Sequence, residues 1–264
     1  MRTTNSVLTC LILSLLMLLP CCSKEKKGLK IAATPVPHAE ILEFIKPELA
    51  SQGIDLEVIV TDDYNMPNRA LAEKEVDANF FQHLPFLEEQ IKQFDYPIHS
   101  VATVEIEPMG VYSRKVRSLD ELRDYSVIAI PNDPTNEARA LLLLQNQGLI
   151  KLQQTSSIQA TVLNIAKNPK HFKFLEVDAA MLPRTLDDVE AAVINTNYAL
   201  QANLSPLKDA IVLEGKNSPY ANVLVIRNGD EERPDIQALE AAMNSKKMRD
   251  FILKQYKEAI LPAF

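Results

Sequence analysis

Along most of the chain, short runs rich in Val and Ile alternate with stretches whose apolar residues recur every three or four positions. That is the pattern of strands alternating with helices. LKIAAT, Leu29 to Thr34, predicts a strand, and Ile41, Leu42, Ile45 and Leu49 then share one face of a helix with a kink expected at Pro47 and a stop at Gly53. LEVIVT, Leu56 to Thr61, is a second strand, after which Pro67 starts a helix over about Asn68 to Glu75. Ala78 to Phe81 is a third strand, with Pro85 the first residue of the helix behind it. The stretch containing it, DANFFQHLPFLEEQ, keeps no single period: two phenylalanines, a glutamine and a histidine crowd the junction.

A second series begins after Met109, Gly110 and Val111. Ser118 and Glu121 have the spacing of a capping box, SVIAIP (Ser126 to Pro131) is a strand, and Asp133 and Pro134 begin a long helix that Gly148 ends. Further strands are expected at Phe172 to Val177, Ala191 to Thr196 and Asn222 to Arg227, and the tail from Pro234 to Tyr256 is two helices. Such alternation indicates an α/β fold with mostly parallel sheets. In these folds ligands lie beyond the carboxyl ends of strands, where connections diverge.

The start of the chain does not share this pattern. Arg2 precedes LTCLILSLLMLLP, Leu8 to Pro20, an apolar run of signal-peptide length and short of the roughly 20 residues of a membrane-spanning helix. It leads into Cys21, Cys22, Ser23 and KEKKG, which resembles a bacterial lipobox followed by a tether; the alternative is an ordinary secretory signal with a chance cysteine pair. Residues 1–21 are expected to be a lipoprotein signal peptide, Cys22 the lipidated residue, and 22–28 the tether. Proline before Cys21 makes it the poorer acceptor. Cys10 and Cys21 leave with the signal, so the folded part holds no thiol, and disulfides, cysteine-ligated metals and cysteine nucleophiles drop out together.

Loss of Arg2 takes the formal charge from −7 to −8, and about 240 residues remain, enough for one large domain or two ordinary ones. An acidic chain with no basic cluster beyond the tether has no electrostatic footprint for nucleic acid. All six glycines stand far apart, so no GxGxxG, Walker or GxSxG loop exists. The four histidines, His38, His83, His99 and His171, never stand at i, i+4, and no metal or cofactor is expected.

Several groups could hold a small zwitterion. Asn136 and Arg139 lie near the amino end of the helix that starts at Pro134, where free N–H groups and a guanidinium suit a carboxylate; alternatively Arg139 pairs with an acid on the helix surface. Asn195, Asn197 and Asn222 end or open strands, where asparagine commonly makes turns, but their amides could also accept from an ammonium group. Tyr64, Phe80, Phe81, His83 and Phe86 offer an apolar wall or simply core, and His83 among phenylalanines requires a hydrogen-bond partner. Alternation puts Phe80 and Phe81 on opposite faces, with Phe81 expected at the site and Phe80 in the core.

DANFFQHLPFL, EPMGVYS, IPNDPTNEARALLLLQNQGLI, DDVEAAVINTNYAL and NSPYAN together resemble the NlpA/MetQ family, the lipid-anchored methionine-binding proteins of ABC importers. The similarity runs from about Leu29 to the last helix. It implies a two-lobed fold of the periplasmic-binding-protein type (type II), each lobe a mixed, mostly parallel sheet flanked by helices: one lobe of residues 29–111 and 224–264, the other of 112–223. It also implies L-methionine as ligand, delivery to an ABC permease and ATPase, a lipid-anchored protein of a bacterial envelope facing the periplasm or exterior, and no enzymatic activity. By resemblance Arg139 binds the carboxylate, and Asn197 and Asn222 hold the backbone polar groups with Asn136 and Asn195 nearby. Tyr64, Phe81, His83 and Phe86 would surround the side chain; the family commonly has tyrosine where this chain has Phe86. The alternatives are the same fold with another apolar amino acid or a methionine-containing dipeptide, or an enzyme on a binding-protein fold using His83 and a carboxylate.

Overall fold

A computed structural model describes residues 28–153, 159–215 and 218–264. The expected signal peptide, Cys22 and the tether through residue 27 lie outside the described residues. In chain order the first part runs β1 (Leu29–Ala33), α1 (Glu40–Ser51), β2 (Leu56–Val60), α2 (Met66–Ala72), β3 (Ala78–His83), α3 (Leu84–Phe94) and β4 (Ile98–Ile106). The middle part runs β5 (Gly110–Tyr112), β6 (Val127–Pro131), α4 (Pro134–Asn146), β7 (Lys151–Leu152), β8 (Ile165–Lys167), β9 (Lys173–Val177), β10 (Ala191–Ile194), α5 (Thr196–Gln201), α6 (Pro206–Asp209) and β11 (Ala210–Leu213). The chain ends with β12 (Ala221–Arg227), α7 (Pro234–Met243), α8 (Lys246–Tyr256) and β13 (Leu261–Pro262).

Two sheets organise these elements, in the orders β13-β4-β12-β3-β1-β2 and β11-β5-β10-β6-β9. In the first, β1 pairs parallel with β2 and β3, but β12 runs antiparallel to β3 and β4, and β13 to β4. In the second, β6 pairs parallel with β9 and β10 while β5 runs antiparallel to β10 and β11. The sheets are therefore mixed, with more antiparallel pairing than the alternation of strands and helices predicts. The cause is that β4, β5, β11 and β12 are the strands by which the chain passes between sheets and returns, without crossover helices. The passages fall between Ile106 and Gly110 and between Leu213 and Ala221, a few residues before the lobe boundaries expected from the sequence.

Helical periodicity predicts the packing of α1 well: Ile41, Leu42, Ile45 and Leu49 are buried against Ile31, Phe80 and the C-terminal helices. Pro47 lies within one continuous helix, and Gly53 (φ 79°) and Gly148 (φ 74°) take the left-handed conformation that ends α1 and α4. The capping box at Ser118 does not form. Residues 119–121 make a single 3-10 turn without a side-chain cap, and Glu121 Oε2 accepts instead from the N–H of Arg117 at 3.0 Å. No strand is predicted at Ile98–Ile106, yet β4 is the longest strand of the first sheet.

The irregular period of DANFFQH has a structural cause. Strand β12 pairs Val223 with Gln82 and the next residue, Leu224, with Phe80, so Phe81 is an extra residue in a β-bulge. Phe80 enters the core beside His38, with ring centroids 4.7 Å apart. Phe81 faces the other way.

Gly110 in β5 has no room for a side chain, because an added Cβ would stand 2.7 Å from Cε2 of Tyr112, a ring that is 1% exposed and cannot swing aside. Gly110→Ala is expected to cost about 1–3 kcal/mol, lowering the melting temperature by roughly 3–10 °C. An unchanged midpoint in a thermal melt would contradict this packing.

Candidate functional site

The carboxyl ends of β3 and β10, the start of α4 and the outward passage between sheets converge on one cavity. Every residue expected at the site from the sequence lines it: Tyr64, Phe81, His83, Phe86, Asn136, Arg139, Asn195, Asn197 and Asn222. His38, Gln82, Glu107 and Thr196 also line it, and the sequence reading singles out none of these for the site.

The apolar wall is a triangle of rings. Tyr64 lies 5.9 Å from Phe81 and 5.8 Å from Phe86, and Phe81 lies 6.0 Å from Phe86, between centroids. These are ordinary aromatic separations that leave one face of each ring available for an apolar group or a sulfur.

His83 does three jobs. As N-cap of α3 its Nδ1 accepts the N–H of Phe86 at 3.1 Å. That leaves Nε2 as the protonated nitrogen of a neutral ring, donating to Asn136 Oδ1 at 3.2 Å on the opposite side of the cavity. Its edge also meets the Tyr220 ring at 5.0 Å. Burial first, then the nearby positive charge of Arg139, lowers its pKa from 6.5 to about 3. It is therefore a fixed donor and not a proton shuttle at ordinary pH.

The asparagines are oriented by a chain of bonds with one sense. Asp133, N-cap of α4, accepts from the amide nitrogen of Asn136 at 3.0 Å on both of its oxygens. Asn136 Oδ1 is thereby turned inward and accepts from His83 and, at 2.8 Å, from Asn195 Nδ2. Asn195 Oδ1 is left buried with no partner among the described residues. Likewise the Tyr64 hydroxyl, kept protonated by burial, donates to Asn197 Oδ1 at 2.7 Å, and the buried Asn197 Nδ2 has no partner among the described residues. Asn195 stands at the N-cap of α5 without capping it. One unsatisfied acceptor and one unsatisfied donor thus line the same cavity, the pattern of a site built for a polar ligand.

Arg139 is 4% exposed and already paired. Its Nε lies 3.2 Å from both Glu214 oxygens and its Nη2 2.5 Å from Glu214 Oε2, so the parallel-bond edge expected for a ligand carboxylate is held by Glu214. The sequence alternative of pairing with an acid is realised, although that acid comes from the return passage rather than from the helix surface. Nη2 also donates to the carbonyl of Glu107 at 2.7 Å, and the guanidinium stacks 4.4 Å above the Tyr220 ring. The two passages are themselves joined: Glu214 N–H donates to Met109 O at 2.8 Å, and Met109 N–H to Glu214 Oε2 at 3.3 Å.

Further bonds close the cavity between the sheets. Besides Tyr64 to Asn197, the Tyr198 hydroxyl donates to the carbonyl of Asp62 at 3.2 Å. One missed feature was readable in the sequence: Glu105 and Glu107 alternate where β4 ends and the outward passage begins, which turns both acids to one side of the chain.

Comparison with known proteins gives consistent results. A family model described as NlpA lipoprotein matches residues 29–264. The methionine-binding lipoprotein MetQ of Bacillus subtilis (strain 168) is 44% identical over 242 residues, 90% of this chain and 88% of that protein. The D-methionine-binding lipoprotein MetQ of Escherichia coli (strain K12) is 45% identical over 195 residues, covering 73% and 72%. A nutrient binding protein from Burkholderia cenocepacia, solved bound to methionine, superposes with a TM-score of 0.86 at 47% identity, over 89% of this chain and 100% of that one.

A neutral buried His83 makes stability depend on pH. The unfolded chain binds the imidazole proton first, so stability is unaffected above about pH 6.5 and falls below it toward pH 3, by up to about 1.4 kcal/mol per pH unit. His83→Asn keeps a side chain able to cap α3. Its melting temperature is expected to decline less steeply than that of the parent between about pH 6.5 and 4, and parallel declines would refute the buried neutral ring.

Proposed function

This chain belongs to the NlpA lipoprotein family, and from that premise we propose that it is a substrate-binding lipoprotein that encloses L-methionine between its two sheets and delivers it to an ABC importer. It works by capture and release, not by turnover. The observation that carries the reading is the pair of buried, unpartnered amide atoms, Asn195 Oδ1 and Asn197 Nδ2, beside Arg139 and opposite the Tyr64, Phe81 and Phe86 triangle. A zwitterion with an apolar, sulfur-bearing side chain complements all of these at once.

In this reading Asn197 Nδ2 and the cavity-facing part of Arg139 take the carboxylate, Glu214 holding the opposite edge of the guanidinium. Asn195, Asn222 and the fixed Asn136 present the amide groups beside the ammonium. The rings and His83 surround the thioether, with sulfur contacts worth about 0.3–1.5 kcal/mol each. A ligand as small as methionine, at a ceiling of about 1.5 kcal/mol per non-hydrogen atom, reaches the roughly 12 kcal/mol of a nanomolar complex only when nearly every atom is engaged. An enclosing cavity provides that.

No described helix is long and apolar enough to cross a membrane. The family is one of membrane-anchored envelope lipoproteins, and the anchor proposed for this chain is a lipid on Cys22, with the folded part facing the periplasm or exterior. Electrophoretic mobility and mass of the mature protein with and without Cys22→Ser test this; an unlipidated mature form of the parent would overturn it.

Ligand-stripped protein in a thermal-shift panel of amino acids, both methionine enantiomers and methionine dipeptides is expected to respond most strongly to L-methionine. At 100 times Kd the stabilisation is about 2.7 kcal/mol, a rise of roughly 5–10 °C. Arg139→Lys should weaken binding by roughly 10- to 150-fold while the far-ultraviolet spectrum is retained. No response to methionine would overturn the function, and unaltered affinity in the lysine variant would overturn the carboxylate assignment.

A further inference from the structure

Asn222 Nδ2 stands among three polar atoms: Glu105 Oε1 at 2.7 Å, Glu107 Oε1 at 2.9 Å and His38 Nε2 at 3.1 Å. An amide nitrogen has two protons, so it cannot serve three acceptors. The two carboxyl oxygens take both. His38 Nε2 is then itself a donor, 3.2 Å from Glu107 Oε1 and 3.5 Å from Glu105 Oε1. Its Nδ1 lies 2.7 Å from Thr34 Oγ1, so both ring nitrogens have polar neighbours.

Glu105 Oε2 is left buried with no partner among the described residues, and two acids share this one cluster. Glu105 is 0% and Glu107 5% exposed, and two ionised carboxylates would face each other across a single amide group. Such a pair holds one proton between its members. Glu107 is the member that opens on the cavity. Burial first, and then the charge of Glu105, raise its carboxyl well above the ordinary range, against the smaller opposing effects of Arg139 and the Asn197 N–H. The phenols of Tyr64 and Tyr256 also lie in its field, and burial keeps both neutral. The three ligand-type side chains also lie close enough for a metal ion, within 4.8 Å, but the Asn222 nitrogen occupies the point among them that a cation would take.

Resting on the reading of the cavity as an amino-acid site, we propose that Glu107 receives the ligand's ammonium group, protonated while the cavity is empty and releasing that proton to solvent as the ligand enters. Its position suits the task. Arg139, on which the ligand's carboxylate is placed, donates to the main-chain carbonyl of Glu107 itself. The anion and cation receptors are therefore adjacent, as two groups borne by one α carbon require. Asn195 Oδ1, buried and unpartnered among the described residues, supplies a second acceptor in the lining of the same cavity. Entry of the ammonium replaces the carboxyl proton as the positive neighbour of Glu105 and Glu107, while the ligand's carboxylate is taken up at Arg139.

Because the empty site holds the extra proton, acid favours the empty state, and affinity rises with pH until Glu107 is ionised without ligand. Titration calorimetry of the ligand-stripped full chain with L-methionine, between about pH 5 and 9 and in buffer pairs of different ionisation enthalpy, measures this directly. The expected result is release of up to one proton per methionine at the acid end, declining toward zero at higher pH, with affinity rising up to tenfold per pH unit over the same range. Glu107→Gln should bind about 10- to 100-fold more weakly at the alkaline end, with no proton release and a flat pH profile. Glu105→Gln, which removes the like charge, should lose proton release near neutrality, and it carries the test together with the parent if Glu107→Gln fails to fold. Methionine binding with no proton release and no pH dependence would overturn the inference and leave the methionine reading standing. Absence of methionine binding at every pH would instead overturn that reading.

Discussion

A guanidinium buried to 4% exposure has to find its acceptors inside the protein, and much of the architecture around the cavity follows from how Arg139 finds them. One acceptor, Glu214, is on the return passage between sheets, and another, the carbonyl of Glu107, is on the outward one. The charge is thus solvated by the two segments on which relative motion of the sheets would depend. Desolvating such a pair gives little net stability, so its value lies in geometry: it fixes the direction in which the remaining guanidinium protons point. α4 begins at Asp133 and Pro134, immediately after β6, and that start places Arg139 one turn into the helix at the required depth.

The polar residues of the cavity form directed chains rather than a pool of interchangeable amides. Each begins at a group whose role is chemically forced: the acceptor Asp133, the histidine that caps α3, and a tyrosine hydroxyl held protonated by burial. Each ends on an atom that faces the cavity with its hydrogen-bonding sense already decided. A ligand entering such a site meets prearranged dipoles, which reduces the ordering cost of binding.

Much of this was readable from the sequence, for identifiable reasons. Strands and helices of the βαβ parts carry their own periodicity, and Phe80, Phe81, His83 and Arg139 advertise themselves by sitting where a period breaks or a helix starts. The partners of these residues do not. Glu214 lies 75 residues from Arg139, Asn136 lies 53 from His83, and Glu107 lies 115 from Asn222, so no local pattern could pair them. Strand β4 escaped because HSVATVEIE mixes polar residues and two acids into an apolar run, and those acids are buried only because β12 and His38 cover them. The Ser118 capping box shows the converse, since a correct local signature failed where the chain makes only one 3-10 turn.

The bonds from Tyr64 to Asn197 and from Tyr198 to the Asp62 carbonyl join the segment after β2 to the amino end of α5, at the rim of the cavity. Both bonds span segments that belong to different sheets, so any parting of the sheets at this point has to break them. The molecule is built in this respect as a carrier whose cargo is surrendered by opening, and a partner that pries the rim apart would control delivery without touching the ligand.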